Sequence, residues 1–179
     1  MSDPGKRPTL LNSSASAATA AEAAFRIDGP PPPPRVSRVV ALDPGAATVI
    51  RRVAAMAGGT SHGASHFLAY RPGTPVEYIS GGLPDVAVYP AEGDAPLRFA
   101  DEMEGADMVF MVATADDGAD AAAAIGEACY MSGITTGAVV FGEEADVRHA
   151  VAALRPHARV LLVTQDEDDV SAVLAGLRA

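Results

Sequence analysis

From residue 36 onward, short apolar runs alternate with segments whose apolar positions recur at helical spacing. VSRVVAL (36–42) is β-branched and apolar and reads as a strand, whereas AATVIRRVAAMA (46–57) places Val49, Ile50, Val53 and Met56 on one helical face. HFLAY (66–70) and DVAVY (85–89) read as short strands, with a turn at Gly81, Gly82 and Pro84 before the second. PLRFADEME (96–104) suggests a helix and MVFMVA (108–113) a buried strand. GADAAAAIGEACYMS (118–132) is helical, TTGAVVF (135–141) a strand, and EEADVRHAVAALR (143–155) helical again. ARVLLVT (158–164) is the last strand and EDDVSAVLAGLRA (167–179) a closing amphipathic helix. Parallel neighbours need crossovers, so this alternation predicts an α/β domain over residues 36–179. The expected form is a three-layer, Rossmann-like, mostly parallel sheet with helices on both faces. Its strands are continuous apolar runs, as a sheet covered on both sides requires.

Residues 1–35 break the pattern. Ser, Ala and Thr dominate residues 12–24, and Pro30 to Pro34 form an unbroken proline run. Such a run favours a stiff, extended rod without internal hydrogen bonds. The segment is expected to be a flexible N-terminal tail, either a spacer or a docking peptide that orders on a partner. In the second case Leu10, Leu11, Phe25 and Ile27 are its anchors.

Charge narrows the partners. The formal net charge is −10, yet residues 1–35 carry four basic and three acidic side chains, so the acidity belongs to the domain. A domain of that sign repels phosphate backbones, and no basic patch offsets it, so nucleic acid is not an expected partner. No apolar run approaches the length of a membrane helix, and the first residues lack a secretory signal pattern, so no membrane partner and a cytoplasmic location are expected. The single cysteine, Cys129, excludes an internal disulfide and reads as a core thiol.

The acids cluster where chemistry would be expected. In α/β sheets ligands bind beyond the carboxyl ends of the strands. Asp43 follows the first strand, Asp116 and Asp117 follow MVFMVA, Glu143, Glu144 and Asp146 follow TTGAVVF, and Asp166 to Asp169 surround Glu167 after ARVLLVT. Acids at a helix start cap free N–H groups and complement the helix dipole. Converging on one rim, Asp43, Asp116 and Asp117 could instead hold Mg²⁺ or Ca²⁺ through hard oxygen ligands. A basic partner surface is a third use of the same rim. No other cofactor is implied.

EGADMVFMVA (104–113), a helix, and GITTGAVV (133–140) together resemble the nucleotide-binding domain of the tubulin/FtsZ family of GTPases. The likeness covers about residues 97–141 and extends more faintly over 36–70. In that family a GADMVF-type strand leads into a GGGTGTG phosphate loop. Here Gly45, Thr114 and Gly118 are what remains of the two glycine-rich loops, and aspartates occupy three of the seven positions of the second, Asp116, Asp117 and Asp120. Glycines let backbone N–H groups approach phosphate, whereas each close carboxylate repels a triphosphate by more than about 1 kcal/mol. The resemblance therefore implies a pseudo-GTPase without nucleotide.

Other motifs carry less. His62 and His66 share an H-x-x-x-H spacing, but Gly58, Gly59 and Gly63 place it in a loop. His149 and His157 flank Pro156 near a helix end. No nucleophile elbow or P-loop lysine is present. The leading expectation is a non-enzymatic assembly or regulatory protein that binds a larger protein, or its own copies, through the tail or the acidic rim. The alternative is an enzyme subunit binding a metal or small molecule at the strand-end loops.

Overall fold

The computed structural model describes residues 35–57, 66–143, 145–166, 169, 172 and 173. The tail anchors Leu10, Leu11, Phe25 and Ile27, and nearly all of the closing helix over 167–179, lie outside them. Eight strands are present among the described residues: β1 (Ser37–Ala41), β2 (His66–Tyr70), β3 (Val76–Tyr78), β4 (Pro84–Pro90), β5 (Leu97–Arg98), β6 (Met108–Ala113), β7 (Thr135–Phe141) and β8 (Val160–Thr164). The helices are α1 (Pro44–Ala57), α2 (Phe99–Glu102), α3 (Ala119–Met131) and α4 (Arg148–Leu154).

The strands form one mixed sheet in the order β3-β4-β2-β1-β6-β7-β8, with β5 on β4. The β2, β1, β6, β7 and β8 strands run parallel, as the strand–helix alternation predicts. The β3, β4 and β5 strands are antiparallel additions. Their orientation was not legible in the sequence, but its cause is local. A short turn at Ser80–Gly82, with Gly81 and Gly82 at φ 83° and 77°, joins β3 to β4. A link that short reverses the chain and leaves no room for a crossover helix.

Helices α2 and α4 are shorter than their apolar periodicity suggests. Gly105, at φ 72°, ends the turn that follows α2. A turn closed by the Asp146 N–H on the Glu143 carbonyl takes up the first residues expected in α4. Helix α3 starts after a tight 3-10 turn over Asp116–Gly118. No helix among the described residues is long and apolar enough to cross a membrane.

Side chains alternate across the central strands and divide the core. Val40, Leu42, Val109, Met111, Ala138 and Val140 pack with residues of α3 and α4, including Ile125, Ala128, Cys129 and Leu154. Val39, Ala41, Phe110, Val112 and Val139 pack with Val49, Ile50 and Val53 of α1. Both faces of the central strands are thus covered, which is why β1 and β6 are buried at every position. Burial also pushes the Cys129 thiol up to about 12, so it is a neutral core group.

Phe110, on β6 between β1 and β7, is the largest fully buried side chain in the α1-facing core. Replacing it with Ala is expected to cost about 3–5 kcal/mol of unfolding free energy. Urea titration checks this: the midpoint falls and the slope stays unchanged if the fold survives.

Candidate functional site

The strand order reverses at β1, which pairs with β2 on one side and β6 on the other. That reversal brings the loops after β1 and β6 side by side, and the Leu42 N–H donates to the Val112 carbonyl at 2.9 Å. In open α/β sheets this crevice is where ligands bind. Here it is occupied by the protein's own side chains.

Asp43, with 1% of its surface exposed, stands at the start of α1. Its Oδ1 accepts the Ala46 N–H at 2.8 Å, which caps the helix, and the Thr114 hydroxyl at 2.5 Å. Its Oδ2 accepts the Thr114 N–H at 2.6 Å and the Ala115 N–H at 3.1 Å. A carboxylate has about four acceptor positions, so these contacts use its capacity. The two loops also touch sterically. A Cβ on Gly45 would sit 2.1 Å from the Thr114 hydroxyl oxygen, and one on Gly118 would sit 2.2 Å from the Leu42 carbonyl oxygen. Gly45, Thr114 and Gly118 are therefore brought together, and what they surround is the Asp43 carboxylate and the β1 backbone.

Asp116 turns toward α4. Its Oδ1 accepts the Ala150 N–H at 2.8 Å, and its Oδ2 lies 2.8 Å from Nδ1 of the exposed His149. Burial pushes its carboxyl up, but the backbone N–H groups of Ala150 and His149 and the His149 imidazole outweigh that effect, leaving it below the ordinary carboxylate range. Asp117 is exposed and lines a groove of about 570 Å³ with Tyr70, Tyr78, Asp120 and Glu127. Asp43, Asp116 and Asp117 thus meet three different sets of partners. Among the described residues, no group of three or more His, Cys, Asp or Glu side chains is placed to hold a metal ion.

The other sequence candidates are dispersed. His62 lies outside the described residues. His66 is exposed at the opposite end of the sheet, with Nδ1 3.3 Å from the Glu102 carboxylate, which also meets Arg38 Nε at 3.1 Å. His157 donates its backbone N–H to the Leu154 carbonyl and accepts the Thr136 hydroxyl on its own carbonyl. Glu144, Glu167 and Asp168 lie outside the described residues, while the Thr164 hydroxyl donates to Asp169 at 2.5 Å.

Two features escaped the sequence reading. Asp85 is 5% exposed, accepts the Ala100 N–H at the start of α2 and faces Arg98 Nε at 3.1 Å. Its position at the head of a strand gave no sign of this. The hydrogen bond and charge of Asp85, together with nearby Asp101, push the Arg98 guanidinium further up. A cavity of about 540 Å³ lies beside α1, lined by Arg51, Arg71, Tyr89 and Asp94 among others. There the Arg71 guanidinium stacks 3.7 Å from the Tyr89 ring centre and binds Asp94 at 2.6 Å. The residue after β2 was the available signal, since strand ends are where such sites form.

No protein-family model matches the chain, and no curated protein matches it.

Replacing Asp43 with Asn puts an amide donor against N–H or hydroxyl donors in a buried site. The expected loss is about 2–4 kcal/mol in a urea titration, against less than about 1.5 kcal/mol for Asn at exposed Asp117. Asp116 gives a pH signature. Its carboxyl is depressed in the folded protein, so its contribution is complete above about pH 4 and is lost as pH falls through the lower folded value. The stability gap between the wild type and Asp116→Asn should therefore hold steady above about pH 4 and narrow as the pH falls below it, as followed by thermal unfolding.

Proposed function

We propose that this chain is a non-enzymatic assembly or regulatory domain, built on a Rossmann-like, GTPase-type scaffold whose phosphate crevice has been closed from within. One observation carries the reading: Asp43 receives four hydrogen bonds from the loops that would otherwise face a bound phosphate. An incoming phosphate would have to displace a buried carboxylate and would meet its charge. The strand order about β1 and the covering of the central strands by helices on both faces support the Rossmann-like part. The partial likeness of residues 97–141 to the tubulin/FtsZ family supports descent from a nucleotide-binding ancestor.

With the crevice filled, the remaining surface is what meets partners. The acidic groove beside α3, with Asp117, Asp120, Glu127 and the exposed Tyr78, suits a basic protein surface. The partner is a larger protein or a second copy of the chain.

Calorimetric titration of the full chain with GTP, GDP and ATP, each with Mg²⁺, tests the reading. The expected result is no heat and no rise in melting temperature. Saturable binding tighter than about 100 μM, which is roughly −5.5 kcal/mol, would overturn it.

A further inference from the structure

Between β1 and β6 the rim of strand ends is filled, but one strand further along it is hollow. Beyond β2 lies the cavity of about 540 Å³, a size that suits a small molecule. Ala69 of β2, paired in register with Tyr89 of β4, lines it together with Ala91, and both alanines pack on the α1-facing core. Ala47 and Arg51 lie four residues apart on α1 and so line it from one helix face. The turn after β4, closed by the Gly93 N–H on the Pro90 carbonyl at 3.0 Å, carries Glu92 and Asp94 into the lining.

Two cations and two acids line this cavity, and they are not equally matched. Arg71 and Asp94 neutralise each other at 2.6 Å, with the guanidinium stacked on the Tyr89 ring. Arg51 donates from Nε to the Ala47 carbonyl and from Nη2 to the Thr48 hydroxyl, both on its own helix. Among the described residues Arg51 meets no carboxylate and Glu92 meets no cation. One positive and one negative charge thus line the same small space without an opposite partner. A phosphate here would gain Arg51 but face two carboxylates, and a metal ion would face two guanidinium groups. A ligand that carries both signs avoids either penalty. The remaining lining, with Ala47, Ala69, Ala91 and Pro90, offers methyl and methylene surface to an apolar group.

We propose that this cavity binds a free α-amino acid with an apolar side chain. The carboxylate of the ligand accepts from the Arg51 guanidinium, its ammonium group donates to the Glu92 carboxylate, and its side chain lies against the alanines and Pro90. The stacked and ion-paired Arg71 keeps its part of the wall in place. This inference goes beyond the assembly reading and does not rest on it. Failure to bind an amino acid would end the proposal and leave untouched the reading that Asp43 closes the phosphate crevice.

Calorimetric titration of the full chain with L-leucine and with L-phenylalanine tests the site. Saturable binding of at least one of them is expected, with a Kd of about 1 mM or tighter. Two analogues then ask for both charges without any change to the protein. N-acetyl-L-leucine lacks the ammonium group and L-leucinamide lacks the carboxylate, and each should bind about tenfold more weakly or worse. Arg51→Gln and Glu92→Gln should weaken the amino acid by a similar factor. Both residues are exposed, so the circular dichroism spectra of these variants should match the wild type. On the wild type, amide shifts in a nuclear magnetic resonance titration should concentrate at residues 47–51, 71 and 89–94. No saturable binding of either amino acid would overturn the proposal. So would an acetylated or amidated ligand that binds as well as the parent, variants that bind like the wild type, or shifts confined to other residues.

Discussion

The buried carboxylate of Asp43 is the contact on which the centre of this molecule is organised. Moving a carboxylate out of water costs several kcal/mol, and only a full set of donors offsets that. The donors come from two segments far apart in sequence: Ala46 at the start of α1, and Thr114 and Ala115 after β6. The start of α1, the register of β1 against β6 and the course of the loop into α3 are therefore tied to one side chain. A helix start beside a strand-end loop is the usual place for a bound phosphate. In this chain the anion is covalently part of the protein.

Two other acids do the same work on a smaller scale. Asp85 links the head of β4 to the start of α2, and Asp116 links the loop after β6 to α4. The acidity of the loops thus has two components. Some carboxylates accept backbone N–H groups from the helix starts, where they set the approach of helices to the sheet. Others, such as Asp117, Asp120 and Glu127, remain on the surface and give the domain its negative face. A count of charges treats both alike, and only their hydrogen-bonding partners separate them.

The parallel half of the sheet was legible because its physics is local and repetitive. A strand buried on both faces must be apolar throughout, and a parallel neighbour must be reached through a helix. The antiparallel half was not, since β3 and β5 are too short to leave a periodic signature and their direction depends on turn length. Gly45, Thr114 and Gly118 stood out in the sequence and do meet in space, yet the sequence could not say that Asp43 fills the space between them. Spacing along a chain shows which loops adjoin and leaves open which side chain turns inward. Asp116 and Asp117 are neighbours in sequence but face different elements, because the tight turn that holds them points successive side chains apart.

The span of the Asp43 contact also bears on the order of folding. Asp43 and Thr114 are 71 residues apart, so their hydrogen bonds cannot form until a long segment has been closed. Closing such a loop costs entropy before any contact repays it, and parallel pairing of this kind is slow. Until β1 and β6 meet, α1 lacks the loop that shares its capping carboxylate, and the apolar flanks of both strands stay exposed to other chains. The nascent polypeptide therefore passes through a sticky interval that ends only after β6 has been synthesised. The same lock that closes the crevice in the finished domain sets when the chain becomes safe from aggregation.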